Sequence, residues 1–473
     1  MIQIDQKNIR AWIEKADIWN CPRYMMSDTG SGFLFADWAQ DMARYCYSHK
    51  KWYVYDGVMW VPDGGGEVIA LCKQLAIGVW ASAAGKSDAV TRFATKWQQQ
   101  RQLETILRSA ASVYPVSERD FDKDPMLLNC LNCTLDLRTM QSYNHRPGDI
   151  LTQVAGVKYD PAAECSRWTQ FIQEVTEGDN RKAEYLQRLC GYGLTGLTKE
   201  EKFCILYGPT TRNGKGTFTE TIMALMGSYA ASVRPETIAR SKRSSAAPSE
   251  DLARLKGVRA AWISELPKNM QMDAATIKKL TGGGSLRVRY LYGSEFEFTP
   301  IAKLFIDTNY LPQTSDMTIF DSDRATVIPF NRHFSEAERD TELKWKLRKP
   351  EALSGILNWC IRGLRAYKIN KLREPPSIKE ATAAYRRECD KVMRFIEDEL
   401  EAGTGYEVRT QEVFDRFTLW CNRNGYERGG QAAFNRDLEK HVQIVRRHPK
   451  AGGEKTTLIT GHRLRPLGLN PVS

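Results

Sequence analysis

A chain of 473 residues with a net charge of +11 and a pI near 9.0 has room for about three domains, and 42% hydrophobic content suffices for buried cores. The opening MIQIDQKNIR carries no apolar secretory core, and the longest apolar stretch, VIALCKQLAIGVW, is broken by Lys73 and Gln74, so export and membrane spanning are not expected. The basic balance favours a polyanion such as nucleic acid as partner.

Residues 1–190 read as a mostly helical first domain with one hairpin, KKWYVYDGVMWVPDGG, turning at Asp56 and Gly57. The acidic DFDKDP follows, expected to be a solvated loop because Pro125 interrupts it and no partnering acids or histidines stand nearby. Next comes the strand-like PMLLNCLNCTLDLRT, whose CLNC pair, Cys130 and Cys133, lacks the second pair or histidines that a zinc site needs. Eleven cysteines, otherwise scattered singly, suit a reducing compartment.

Residues 191–370 change character. The short apolar runs FCILYG, RAAWISE, SLRVRYL, FEFTP, AKLFIDTN and ATVIPF alternate with helical or loop segments, which predicts an α/β P-loop ATPase core. SKRSSAAPSE reads as a polar loop inside it. KLREPPSIKE, at 371–380, reads as a linker, and 378–473 as a winged-helix-like domain of helices and the strand pair HVQIVRR and TTLITGHRL, joined by a basic turn. From Lys440 onward seven Lys or Arg face one acid, Glu454; Arg446, Arg447 and Lys450 are the candidate duplex contacts there. The predicted class is thus α/β multidomain: a helical domain with a hairpin, an ATPase core and a winged-helix-like end.

The chemistry concentrates at FCILYGPTTRNGKGTF. A phosphate cradle needs a strand, a glycine-permitted turn exposing backbone N–H groups, a helix N-terminus and a lysine for the β and γ oxygens. All four are present, but Gly208 and Gly214 lie six apart rather than five, and Gly216 occupies the usual hydroxyl position after Lys215. One extra residue can bulge outward without moving Gly214 or Lys215. The candidate ATP contacts are Gly208, Thr211, Arg212, Asn213, Gly214, Lys215, Gly216 and Thr217. RAAWISE ends in Glu265, a carboxylate for polarising water or holding Mg2+ with Thr217, although Ser264 stands where many ATPases place Asp. AKLFIDTNYLP ends at Asn309, whose amide can orient water against a γ-phosphate; Arg324 precedes the last strand and suits a finger reaching a neighbouring subunit, with Arg332 a second candidate.

Taken together, GPTTRNGKGT, WISE, KKLTGGGSLRVRYLYGSEFEF, KLFIDTNYLP and DRATVIPFNRHF resemble the superfamily 3 helicase domain of phage and plasmid primase-helicases, relatives of the poxvirus replication NTPase. The resemblance spans about residues 30–470 and implies an AAA+-like hexameric ring that hydrolyses ATP with Mg2+ while drawing in single-stranded or forked DNA. It implies Lys215, Glu265, Asn309 and Arg324 as catalytic residues, and a pore hairpin on which Arg287, Arg289 and Tyr292 meet DNA. It further implies the cytoplasm of a prokaryotic host, no membrane, and a separate primase or loader as partner. Such relatives often carry a primase domain ahead of the helicase; the first thirty residues leave no room for one, so primer synthesis is not expected. A replication initiator whose ATPase drives assembly or melting is the competing reading, and a P-loop ATPase or kinase acting on other substrates is a third.

Overall fold

The computed structural model describes residues 4–240, 250–289, 295–314, 316–426, 428–447 and 456–466. Its first unit packs helices Gln6–Ala16, Asp28–Trp38, Glu67–Ser82 and Gln100–Ala110 around Ile9, Phe35, Leu71, Leu75, Trp97 and Ile106. The apolar stretch around Lys73 is the helix Glu67–Ser82, buried within this bundle; Gly78 permits the close crossing, since a Cβ there would lie 2.5 Å from Ile9 Cγ2. The expected hairpin forms between Lys51–Tyr55 and Trp60–Pro62, with Asp56 accepting from the Val58 and Met59 N–H groups, and gains a third strand, Ala43–Cys46. No helix among the described residues is long and apolar enough to cross a membrane.

The stretch predicted as strand-like is a small antiparallel sheet, Leu127–Asn129, Thr134–Asp136 and Gln141–Tyr143, with Cys130 and Cys133 at its first turn. The acids ahead of it keep part of the exposure expected of them, but each also has a protein partner. Asp120 accepts from Ser117, Asp122 accepts from the Thr152 N–H and hydroxyl, and Asp124 holds Arg138 at 2.7 Å. Sequence spacing gave no sign of Thr152 or Arg138, which only the fold brings near. Helices Ser166–Val175 and Asn180–Gly193 follow, and their Trp168, Phe171, Tyr185 and Leu186 share one core with the central sheet. The helical region predicted as 1–190 therefore has two parts: one with its own core, and one built onto the central sheet.

That central sheet has five parallel strands, β1 Phe203–Tyr207, β2 Ala230–Val233, β3 Ala260–Ser264, β4 Lys303–Thr308 and β5 Ala325–Pro329, in the order β5-β1-β4-β3-β2. Both faces are covered, which is why the strands read as continuous apolar runs. Cys204, Leu206, Trp262 and Phe305 face the helix Lys215–Met226, while Phe203, Ile205, Ile263 and Ile306 face the opposite core. Trp168 clamps the first face, stacked on Phe218 at 5.8 Å and edge-on to Trp359 at 5.5 Å.

The predicted linker is structural. Glu374 pairs with Lys202 at 2.7 Å, and the helix Pro376–Cys389 lies on β5, with Thr382 Oγ1 accepting from Val327 N and Tyr385 buried against Phe320. Its amphipathic pattern serves the central sheet, and the last unit starts beyond it, where Asp390 caps Lys391–Glu399. That unit continues with strand Leu400–Arg409, helices Thr410–Asn424 and Gln431–Leu438, and strands Ile444–Arg447 and Thr456–Leu464 around Phe395, Phe417, Trp420 and Phe434. Its expected basic turn, with Lys450, and the 241–249 loop fall outside the described residues.

Candidate active site

The glycine-rich loop leaves β1 at Tyr207 and ends where Gly214 caps the helix beginning at Lys215. Residues 209–212 are exposed, so the surplus length bulges outward, as the sequence allowed. Two positive φ angles make the turn, +56° at Arg212 and +84° at Gly214. Gly214 is required twice over, because its φ disfavours side chains and a Cβ would also lie 2.5 Å from Val175 Cγ1. The loop is pinned from inside and outside: Asn213 and Asn309 donate to Thr210 O, both at 2.6 Å, and Asn309 also donates to Gly208 O at 2.7 Å. Phe334 N donates to Arg212 O at 2.9 Å, and His333 Nδ1 lies 2.9 Å from Thr211 O.

Lys215 is 4% exposed. Its ammonium donates to Asn213 Oδ1 at 3.1 Å and lies 3.9 Å from Asp307 Oδ1 on β4. Burial lowers the Lys215 pKa and raises that of Asp307, against the attraction between the two. Thr219, one turn along the helix, donates to Asp307 Oδ2 at 3.4 Å. Asp307 and Thr219 were not read from the sequence. The available signal was period two: Phe305 faces the loop helix, so an acid two residues on must face it as well.

Glu265 follows β3 with φ +59°, its side chain exposed and its N–H donating to Asp307 O at 3.1 Å. Thus Lys215, Glu265 and Asn309 gather at the C-terminal ends of β1, β3 and β4. Thr217 and Gly216 lie on the other flank of the loop, lining a cavity of about 570 Å³ with Phe171, Phe334, Arg167, Arg212, Arg332 and Lys344. With Arg339 the last four make five cations in the lining, against Glu174, Glu338 and Asp340, and Arg332 pairs with Glu338.

Arg324 is at the far end. It precedes β5, where its guanidinium pairs with Glu201 and donates to Thr281 Oγ1 at 3.0 Å, not to Asp321 or Asp323. Arg287 and Arg289 alternate with buried Leu286 and Val288 on an antiparallel hairpin, Leu286–Arg289 with Glu295–Phe298, so both arginines are exposed. Glu297 and Glu295 stand opposite them in register; Tyr292 lies outside the described residues. In the last unit Arg447 pairs with Glu407 and Arg446 approaches Glu439 at 3.7 Å. The excess of positive charge seen after Lys440 is therefore partly matched by acids from earlier in the chain.

Residues 33–177 match the family described as D5 N terminal like, and residues 387–459 the family described as Poxvirus D5 protein-like. Both ends of the chain are thus similar to D5-like proteins, the likeness that the sequence motifs suggested. Between those two matches, residues 206–324 of this D5-like chain match a family of unknown function, which takes in the loop, Glu265, Asp307 and Asn309. A protein of Acanthamoeba polyphaga mimivirus, provisionally named a helicase, is 26% identical over 69% of this chain and 36% of its own length. One of Frog virus 3, likewise named, is 29% identical over 47% of this chain and 25% of its own. One of African swine fever virus, provisionally named a primase, is 20% identical over 77% of this chain and 40% of its own. The D5-like chain thus spans a quarter to two fifths of the length of these relatives, all from large DNA viruses. Among solved structures, the apo C-terminal region of NrS-1 aligns with 91% of this chain and 99% of that one, at 10% identity and a TM-score of 0.47.

Proposed function

We propose that this D5-like chain is the motor segment of an ATP-dependent DNA helicase, acting as a homohexameric ring on single-stranded DNA during replication of a viral or mobile-element genome. The observation that carries the reading is the convergence of Lys215, Glu265 and Asn309, with Asp307, at one end of the parallel sheet, from segments far apart in the chain. Backbone N–H groups at the start of the loop helix favour the triphosphate of ATP, and Lys215 reaches its β and γ oxygens. Glu265, exposed beside β4, takes a proton from the attacking water, and Asn309 orients that water. The water oxygen bonds to the γ-phosphorus as the bond to the β–γ bridging oxygen breaks, leaving ADP and phosphate.

The donor set fits a divalent cation through Asp307 and Thr219, with the exposed Glu265 following the neighbouring strand, while Thr217 stands on the other flank of the loop. Bound there, Mg2+ neutralises charge on the β and γ oxygens. Arg324 of an adjacent copy supplies a cation to the transferring phosphoryl group once it leaves Glu201. Arg287 and Arg289 contact DNA phosphates, and the exposed arginines of the last unit contact duplex.

The test is strand displacement from forks carrying only a 3′ or only a 5′ tail, comparing the native chain with Glu265→Gln. The native chain should displace one type with ATP, and the variant should bind ATP without displacing either. Tight duplex binding with no displacement at any ATP concentration favours the initiator reading, and DNA affinity insensitive to salt defeats both.

A further inference from the structure

The run that forms β3 ends in one carboxylate, Glu265, where many ATPases carry two acids, because Ser264 occupies the position before it. The fold supplies a second from the neighbouring strand. Asp307 on β4 is the register partner of Ser264 on β3, so the two occupy the same height and the same face of the sheet, about 4.8 Å apart by ordinary strand spacing. On its other side Asp307 is in register with Leu206, at the end of the strand that enters the loop. Its carboxylate therefore sits nearer the loop than an acid at Ser264 would.

Both Asp307 oxygens face the phosphate end of the site. Oδ1 lies 3.9 Å from the Lys215 ammonium, and Oδ2 accepts from Thr219 at 3.4 Å. The side chain is 14% exposed, so the carboxylate is held and oriented yet still reachable. Glu265, by contrast, is exposed on a left-handed turn and takes no part in this contact with Lys215 and Thr219.

We propose that Asp307 is the carboxylate that holds the divalent cation of the bound nucleoside triphosphate, in place of the acid missing at Ser264, with Thr219 orienting it. Work is then divided between two strands: Asp307 serves the metal, directly or through one of its waters, and Glu265 serves the attacking water. A small cation that retains several waters needs only one or two carboxylates besides the phosphate oxygens, which this arrangement provides. The inference rests on the reading of the loop as an ATP site.

The decisive measurement is the affinity of the full chain for a fluorescent ATP analogue, with Mg2+ and with EDTA. Native protein should bind more tightly with Mg2+. Asp307→Asn should lose about tenfold or more of that Mg2+-dependent gain while its affinity in EDTA changes little, as expected when a group holding a metal is removed. Adding Ser264→Asp to that variant returns a carboxylate to the adjacent register position and should restore part of the gain. If Asp307→Asn does not fold, the native chain decides: with Fe2+ replacing Mg2+ in the presence of ATP, ascorbate and peroxide should cut the backbone near 307 and 219. A variant that keeps the full Mg2+ gain, or cleavage confined to the region of Glu265, overturns the proposal. Failure of the native chain to bind the analogue under either condition overturns instead the ATP-site reading beneath it.

Discussion

The two ends of the central sheet handle positive charge in opposite ways. At the C-terminal ends of the strands Lys215 has one neutral oxygen at hydrogen-bond distance and a carboxylate at 3.9 Å. At the N-terminal ends Arg259, 1% exposed, donates to Leu194 O and Leu127 O and stacks on Tyr229 at 4.2 Å. Lys303 donates to Thr195 O and lies 5.0 Å from the Tyr192 ring centroid. β4 contains the contrast within itself, since Lys303, Phe305 and Asp307 share a face: a cation closed by carbonyls at one end and an acid facing the loop at the other. One end of the sheet is thereby fixed to the helices before it, and at the other the cation is held by one hydrogen bond and one longer ion pair.

The contrast breaks most visibly at Lys215. Lys215→Ala should abolish ATP hydrolysis and lower ATP affinity by about a hundredfold or more, while thermal unfolding changes little. A variant that still hydrolyses ATP would remove the reactive end from the comparison. Arg324 tests whether the opposite end is wholly structural. Its partner Glu201 has a half-exposed side chain, unlike the buried carbonyls that hold Arg259. Arg324→Ala should cut hydrolysis about a thousandfold at concentrations where rings form, with ATP binding within about twofold of native. Unchanged turnover would place Arg324 with the structural cations.

Arg259→Met sharpens the other side. It leaves two buried carbonyls without their donor and should cost about 3 kcal/mol of stability in denaturant unfolding, with ATP affinity of the folded protein unchanged. The smallest effect concerns His49, where the first unit meets this same end. Burial, then the Lys256 ammonium 3.4 Å from Nε2, lowers the His49 pKa below its usual value. A base whose folded pKa is depressed contributes stability that is full above the unfolded pKa of about 6.5 and is lost as pH falls through the folded value. Thermal scans from pH 8 to pH 5 should therefore show a decline that His49→Gln reduces by under about 1 kcal/mol.

Much of the central sheet and its loop was legible because it is local or periodic. FCILYGPTTRNGKGTF is one strand, one turn and one helix start, and the six apolar runs predicted from 203 onward are all strands. The edge strand β2, AASV, escaped because alanine and serine carry no strand signal and half-burial at an edge asks for none. The helix Pro376–Cys389 went to the wrong unit because an amphipathic stripe says that a face is buried, not against what.

By itself the sequence determined where the loop, Glu265, Asn309 and Arg324 stand along the chain, and that each segment is strand, turn or helix. Only the tertiary structure decided which strands lie side by side. Register across a parallel sheet joins residues dozens of positions apart, and nothing in local spacing encodes it. That register sets Asp307 beside Ser264 and turns a departure in one strand into a question about its neighbour. The same physics placed counterions opposite the arginines of the last unit, where composition alone had left them unopposed.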